Sequence, residues 1–245
     1  MFLKDLSKYS SVKSGLDYHD ELNQKIWDGN SLRPEVNKAL KRIADKFIDF
    51  LSIDPSTVED VIITGSICNY NWTKFSDIDL HILLRYDEFC TDCKTYSFDD
   101  CMKAKKTLWN DSHDITIYGF DVELYAQSSE DAVTGNAGVY SLTNGKWIKT
   151  PVKEKVNLDD EMIMYKASRI MSLIDTIVDQ KVNDLSQIQE LKDRIKKMRK
   201  SGLEKGGEYG LENLVFKALR NNGYIEKLHD YYSTMEDEDL SLERK

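Results

Sequence analysis

Apolar residues change their spacing twice along this 245-residue chain, and the changes outline its parts. Pro34 stands where a helix can open, at its first turn. From Glu35 to Leu51, the residues Val36, Leu40, Ile43, Phe47, Ile48 and Leu51 recur at intervals of three and four, which predicts an amphipathic helix ending before Asp54-Pro55. Val61-Ile62-Ile63 is a short apolar run closed by Gly65-Ser66, the pattern of a buried strand entering a tight turn. A loop with a short helix is expected from Ser66 to Phe75. The spacing then becomes two: Ile78, Leu80, Ile82 and Leu84 face one way, while Asp77, Asp79, His81 and Leu83 face the other.

A helix ending near Leu108-Trp109 is expected next. The run DITIYGFDVELYAQ reads as two strands broken at Tyr118-Gly119, and GVYSLTNGKWIKTP as a hairpin with Asn144-Gly145 as a two-residue turn. Beyond about residue 155 the period is helical throughout. Met162, Tyr165, Ile170, Leu173, Ile174 and Ile177 support one helix, Leu185–Lys200 a second, and Leu211–Tyr232 a third carrying Leu214, Val215, Leu219, Ile225 and Leu228. The fold class expected is α+β: a small mixed sheet packed with helices over 1–155, a helical domain over 156–235, and a charged, mobile tail over 236–245.

Composition narrows the class. Hydrophobic residues make up 40% and charged residues 31%, which suits a soluble globular protein, and no apolar run approaches the roughly 18 residues of a membrane helix. The first residues lack the apolar stretch of a secretory signal, so a cytoplasmic protein is expected. The net charge of −9 argues against a surface built throughout for nucleic acid. Six of the ten residues in LKDRIKKMRK, Leu191–Lys200, are nonetheless basic, so Lys192–Lys200 is a candidate RNA contact or a solvated helix face. Cys90-x-x-Cys93, with Cys101 and His113 as further ligands, has the beginnings of a zinc site. It lacks a second Cys-x-x-Cys, and free thiols are the expectation.

The chemistry concentrates around the first two strands. Asp77 and Asp79 leave one face of a strand about 7 Å apart at the backbone. Two like charges so close repel each other unless a divalent cation lies between them, and Mg²⁺ is the natural one for hard oxygen ligands that share the metal with phosphate. Gly65-Ser66 lets the backbone approach a phosphate closely, with local amides and a hydroxyl as donors. A third carboxylate is expected on a neighbouring strand, where FDVELY offers Asp121 and Glu123 on one face; Glu123, between Val122 and Leu124, is favoured. His81, on the same face as Asp79, reads as a structural histidine, and His113 as a turn feature. Tyr70, Trp72 and Phe75 in the loop either stack on a base or pack beneath it.

Gly-Ser, ten residues, then Asp-x-Asp and a separate apolar-acid-apolar strand resembles the nucleotidyltransferase superfamily that includes DNA polymerase β, aminoglycoside nucleotidyltransferases, CCA-adding enzymes and minimal nucleotidyltransferase antitoxins. The resemblance covers roughly residues 35–126. It implies a metal-dependent transferase in which Gly65 and Ser66 hold the triphosphate of ATP or another NTP. Asp77 and Asp79 would ligate two Mg²⁺ ions. Glu123 would complete the second metal site and help deprotonate the acceptor. The acceptor hydroxyl would then attack the α-phosphorus and release pyrophosphate. The family's third carboxylate is more often aspartate, a departure here. A helical domain after the core would cover nucleotide or acceptor, with Lys217 and Arg220 reaching phosphates. The acceptor is a small molecule, a protein or an RNA end, and a non-catalytic nucleotide-binding module is the remaining alternative. The C-terminal run SGLEKGGEYGLENLVFKALRNNGYIEKL, whose glycines are expected to form a flexible loop, is similar to that of nucleotidyltransferase-like proteins carried by bacteriophages.

Overall fold

The structure is a computed structural model describing residues 7–9, 12–85, 98–130, 137–153 and 159–242. The Cys90 and Cys93 expectation lies outside these residues. The chain forms two compact units, Asp17–Glu154 and Met1–Leu16 with Lys155–Lys245. The first sixteen residues thus group with the C-terminal helices, not with the sheet. No helix among the described residues is long and apolar enough to cross a membrane.

The sheet unit opens with a small ribbon, β1 (Trp27–Asp28) and β2 (Ser31–Leu32), followed by α1 (Pro34–Leu51). Strands β3 (Val58–Thr64) and β4 (Ile78–Leu84) precede α2 (Phe98–Ser112). Then come β5 (Thr116–Ile117), β6 (Phe120–Ser128), β7 (Val139–Ser141) and β8 (Lys146–Lys149). Among the described residues these form a mixed sheet in the order β5-β6-β4-β3-β7-β8, in which β4 and β6 run parallel and the other pairs antiparallel. The expected α+β class is therefore what folds.

The core follows the periodicity. Val36, Leu40, Phe47, Ile48 and Leu51 of α1 are buried, as are Ile78, Leu80, Ile82 and Leu84 of β4, and they share one apolar cluster with Val122 and Leu124 of β6. Helix α2 lies along the part of β6 that runs beyond the short strand β5. There the Asn110 amide donates to the Leu124 carbonyl at 3.3 Å and its oxygen accepts from the Leu124 N–H at 3.2 Å, satisfying edge groups that no strand covers. Toward α1, α2 sends Trp109, which meets Phe47 and Phe50 with ring centroids 5.4 and 5.1 Å away. Lys105 Nζ donates to the Leu51 carbonyl at 2.7 Å, placing positive charge at the α1 C-terminus.

Two local expectations are corrected. The β7–β8 connection is a four-residue loop, Leu142–Gly145, with Ser141 opposite Lys146, not a two-residue turn at Asn144-Gly145. Leu142 is fully buried and its N–H still bonds Val61 at 2.8 Å, so the chain cannot turn as soon as β7 ends. The expected helix Leu211–Tyr232 is two helices, α5 (Leu211–Asn221) and α6 (Tyr224–Leu240). Gly223, at φ 74°, takes the left-handed turn that stops α5, and its N–H bonds the Arg220 carbonyl at 2.8 Å. Helix α6 also absorbs half of the expected tail.

In the helical unit, α3 (Asp160–Asp179) and α4 (Leu185–Gly206) precede α5 and α6. Ile163, Ala167, Met171, Ile174 and Ile177 form the buried face of α3, while Met162 and Tyr165, which helped to mark the helix in the sequence, are exposed. The glycines expected to make a flexible loop are partly helical. Gly202 lies in α4, where a Cβ would stand 2.4 Å from the Asn213 nitrogen, so its absence lets α5 start against α4.

One carboxylate organises this unit. Asp175, 5% exposed, accepts from Tyr9 at 2.6 Å, Lys227 at 2.6 Å and Tyr224 at 3.2 Å, and pairs with Lys8 at 2.5 Å. Burial alone would raise its pKa, but the bonds from Lys227, Lys8 and Tyr9 outweigh burial and hold it well below the usual carboxylate range. Asp175→Ala is expected to cost about 2–3 kcal/mol in denaturant unfolding, below the range of a fully buried pair because both lysines reach water. A folded pKa below the unfolded value stabilises at pH above about 4 and is lost as pH falls toward the folded value, so the gap between wild type and variant should close in acid.

Candidate functional site

Strand β3 delivers the chain to Gly65, which turns at φ 82° into a single helical turn, Ser66–Cys68. The turn is anchored from below: Trp27 Nε1 donates to the Ile67 carbonyl at 2.9 Å, and Ile67 and Cys68 are fully buried. The loop then returns to β4 through Ser76, whose hydroxyl lies 2.8 Å from that of Ser66 and accepts from the Thr73 N–H at 2.9 Å. The Ser66–Ser76 contact ties the Gly-Ser turn to the residue just before Asp77.

Pairing fixes the carboxylates. Thr64 opposes Asp79 across β3 and β4, and Asp79 opposes Glu123 across the parallel pair β4 and β6. Gly65 passes so close to Asp79 that a Cβ on it would lie 2.0 Å from Oδ2. Asp77, Asp79 and Glu123 are half-buried, whereas the apolar residues between them are buried. Alternation on a pleated sheet has this result: the anchoring residues face the core and the acids line the opposite face. Asp121 lies on that face too, exposed, and pairs with Thr116 of the edge strand β5. An open cavity of about 540 Å³ beside Glu123 is lined by Asp121, Asp111, His113 and Asp114 among others.

Behind the carboxylates the same face carries a stacked column. His81 opposes Tyr125 and its ring stacks on the phenol at 4.5 Å, with Nδ1 2.6 Å from Gln127 Oε1. Burial lowers the His81 pKa. Tyr125 donates its hydroxyl to Glu123 Oε2 at 2.6 Å. Lys106, reaching over from α2, places Nζ 3.5 Å from the Tyr125 ring centroid and 4.0 Å from the same Glu123 oxygen. Burial pushes the Tyr125 phenol well above its ordinary pKa, and the charge of Asp79 adds to the rise. Burial lowers the Lys106 pKa, while Glu123, Asp79 and Asp77 push it back up.

The donor set consists of hard carboxylate oxygens, which suits Mg²⁺. Among the described residues no three His, Cys, Asp or Glu side chains are gathered to hold a metal as they stand; Glu123 Oε2 is engaged by Tyr125 instead. The column of Lys106, Tyr125 and Gln127 carries no sequence motif. Only the in-register spacing of Tyr125 from Glu123 foreshadows it.

Other candidates fall in the loop before β4, in the core, at the end of α2 and on the helical unit. Trp72 stacks on His19 at 3.5 Å and Tyr70 packs on the core, while Phe75 is 40% exposed. Cys68 is buried, with its thiol pKa raised by burial, and Cys101 is exposed; both are free. His113 caps the end of α2, stacked on Trp109 at 3.9 Å. Lys217 and Arg220 lie on α5 of the helical unit, Lys217 paired with Glu208 at 2.6 Å and Arg220 exposed. On α4, Lys192 lies over Tyr232 at 3.8 Å and Arg199 over Phe216 at 4.4 Å; Arg194, Lys196, Lys197, Arg199 and Lys200 are exposed.

Neither a family model nor a curated protein matches the chain. Among solved structures, a STING-associated CdnE c-di-GMP synthase from Capnocytophaga granulosa is similar over 84% of this chain and 84% of its own, at 11% identity and a TM-score of 0.22. Likeness that loose carries nothing about substrate or reaction, which rest on the side chains described above.

Proposed function

We propose that the sheet unit is a metal-dependent nucleotidyltransferase. It moves a nucleoside monophosphate, AMP in the first instance, from an NTP to an acceptor hydroxyl on a small molecule or protein. One observation carries the reading: a Gly-Ser turn closes on the carboxylate of Asp79, and Asp79 stands in register with Glu123 on the adjacent parallel strand. The turn's backbone and the Ser66 hydroxyl receive the triphosphate, as a glycine turn beside a half-buried strand end allows. Asp77, Asp79 and Glu123 are the residues that would hold Mg²⁺. Bound there, Mg²⁺ supplies positive charge to the attacking and leaving oxygens. Glu123 takes the acceptor proton, the acceptor oxygen attacks the α-phosphorus, and pyrophosphate leaves.

The test is incubation of the protein with α-³²P-labelled NTPs and Mg²⁺ against separate pools of metabolites, proteins and tRNA. Label should pass to an acceptor in the first or second pool and be abolished by EDTA. No transfer, together with no metal-dependent nucleotide binding, would refute the enzyme reading. The third carboxylate is tested in the same assay. Glu123→Gln should remove activity and Asp121→Asn should leave most of it, the reverse result transferring the role to Asp121.

A second reading has its own observation, the exposed cations Arg194, Lys196, Lys197, Arg199 and Lys200 on α4. If the acceptor is an RNA end, label should enter the tRNA pool, and binding should weaken steeply with salt as counterions are released.

A further inference from the structure

We propose that Lys106 is the resident counter-ion of the carboxylate face, a positioning residue that holds Glu123 on Tyr125 until a divalent cation replaces its charge. The exchange with metal rests on the reading above; the counter-ion role does not. The geometry is specific. Lys106 comes from α2, whose docking on the β6 edge is fixed by the paired Asn110 bonds. Its ammonium is 4.0 Å from Glu123 Oε2 and 3.5 Å from the Tyr125 ring centroid, with a side chain 27% exposed. A half-buried ammonium is costly to desolvate, and what offsets that cost here is the π face beneath it and the carboxylate beside it.

Asp79 and Glu123 face each other across paired strands, where like charges are destabilising. Lys106 relieves that repulsion in the protein without metal. It does so at Oε2, one of the two oxygens Glu123 can offer a metal, so a metal that takes Oε2 displaces both Tyr125 and Lys106. A cation approaching Asp77 and Asp79 therefore meets a face that already carries one positive charge.

Two measurements on the full chain test this. With metal removed by EDTA, thermal unfolding is compared for wild type, Lys106→Met, Asp79→Asn and the double variant. Lys106→Met should lower Tm by several degrees, and much less in the Asp79→Asn background; equal losses in the two backgrounds overturn the counter-ion role. A Lys106→Met chain that folds only together with Asp79→Asn supports it, and one that folds in neither background gives way to Lys106→Gln in the same comparison. Mn²⁺ titration followed by electron paramagnetic resonance then reads the exchange. Lys106→Met should bind Mn²⁺ tighter than wild type by about tenfold, the lower end of what one neighbouring charge does to an ionic equilibrium. Lys106→Arg should stay near wild type. Unchanged or weaker binding in Lys106→Met overturns the exchange. Absence of Mn²⁺ binding in every variant, with the Tm coupling intact, sinks the metal reading and leaves the counter-ion role standing.

Discussion

Asp79→Asn is expected to reduce nucleotidyl transfer by about 10²- to 10³-fold, because a metal's charge stabilisation is worth several kcal/mol and each 1.36 kcal/mol is a factor of ten. The substitution keeps size and shape on a strand whose neighbours Ile78 and Leu80 are fully buried, so the packing of the strand is retained. It also removes one of two charges set opposite each other on β4 and β6. Stability should hold or rise slightly while activity falls, the opposite of what a structural aspartate would do. Turnover with labelled NTP and a thermal melt on the same preparation separate the two cases. Transfer within tenfold of wild type would remove Asp79 from the machinery, and a large fall in Tm with proportionate loss of activity would recast it as a structural residue.

What the sequence made legible is what alternation can encode. A strand with period two commits its apolar members to the core, so the spacing of Ile78, Leu80, Ile82 and Leu84 is enough to put Asp77 and Asp79 on the opposite face. Glu123 followed by the same logic, since Val122 and Leu124 had to be buried. Register was not legible. That Asp79 meets Glu123, and not Asp121, depends on how far a parallel strand slides, which turns and packing decide. Lys106 was invisible for a related reason. Helix α2 carries no motif to mark it as part of a site, and its lysine arrives through an edge contact made by Asn110. The break at Gly223 was passed over because apolar residues keep a helical spacing on both sides of it. The Asn144-Gly145 signal misled because buried Leu142 prolongs the pairing with β3. The partnership of Asp175 with Tyr9 spans 166 positions, and no local pattern in the first sixteen residues ties them to the helices.

Gly65→Ala should be nearly as damaging as loss of the aspartate, by a different route. Gly65 sits at φ 82° and ψ −165°, a region essentially reserved for glycine, where an L side chain costs about 1–3 kcal/mol. The added methyl would also lie 2.0 Å from Asp79 Oδ2 and 3.1 Å from its Cγ, closer than atoms can approach. Either the carboxylate swings away or the turn shifts off β3, and Ser66, tied to Ser76 at 2.8 Å, would carry the shift toward Asp77. Strain and collision act on the same few atoms, so their costs should not simply add. A double-variant comparison separates them. Asp79→Gly removes the colliding carboxylate, so if collision dominates, Gly65→Ala should cost much less Tm in that background than in wild type. If strain dominates, the Tm loss should be the same in both. In the wild-type background nucleotide binding should fall together with transfer, because the turn and the carboxylate are displaced as one piece. A Gly65→Ala protein that binds and transfers like wild type would show that the close approach of Gly65 to Asp79 is incidental, and with it the observation on which the proposed function rests.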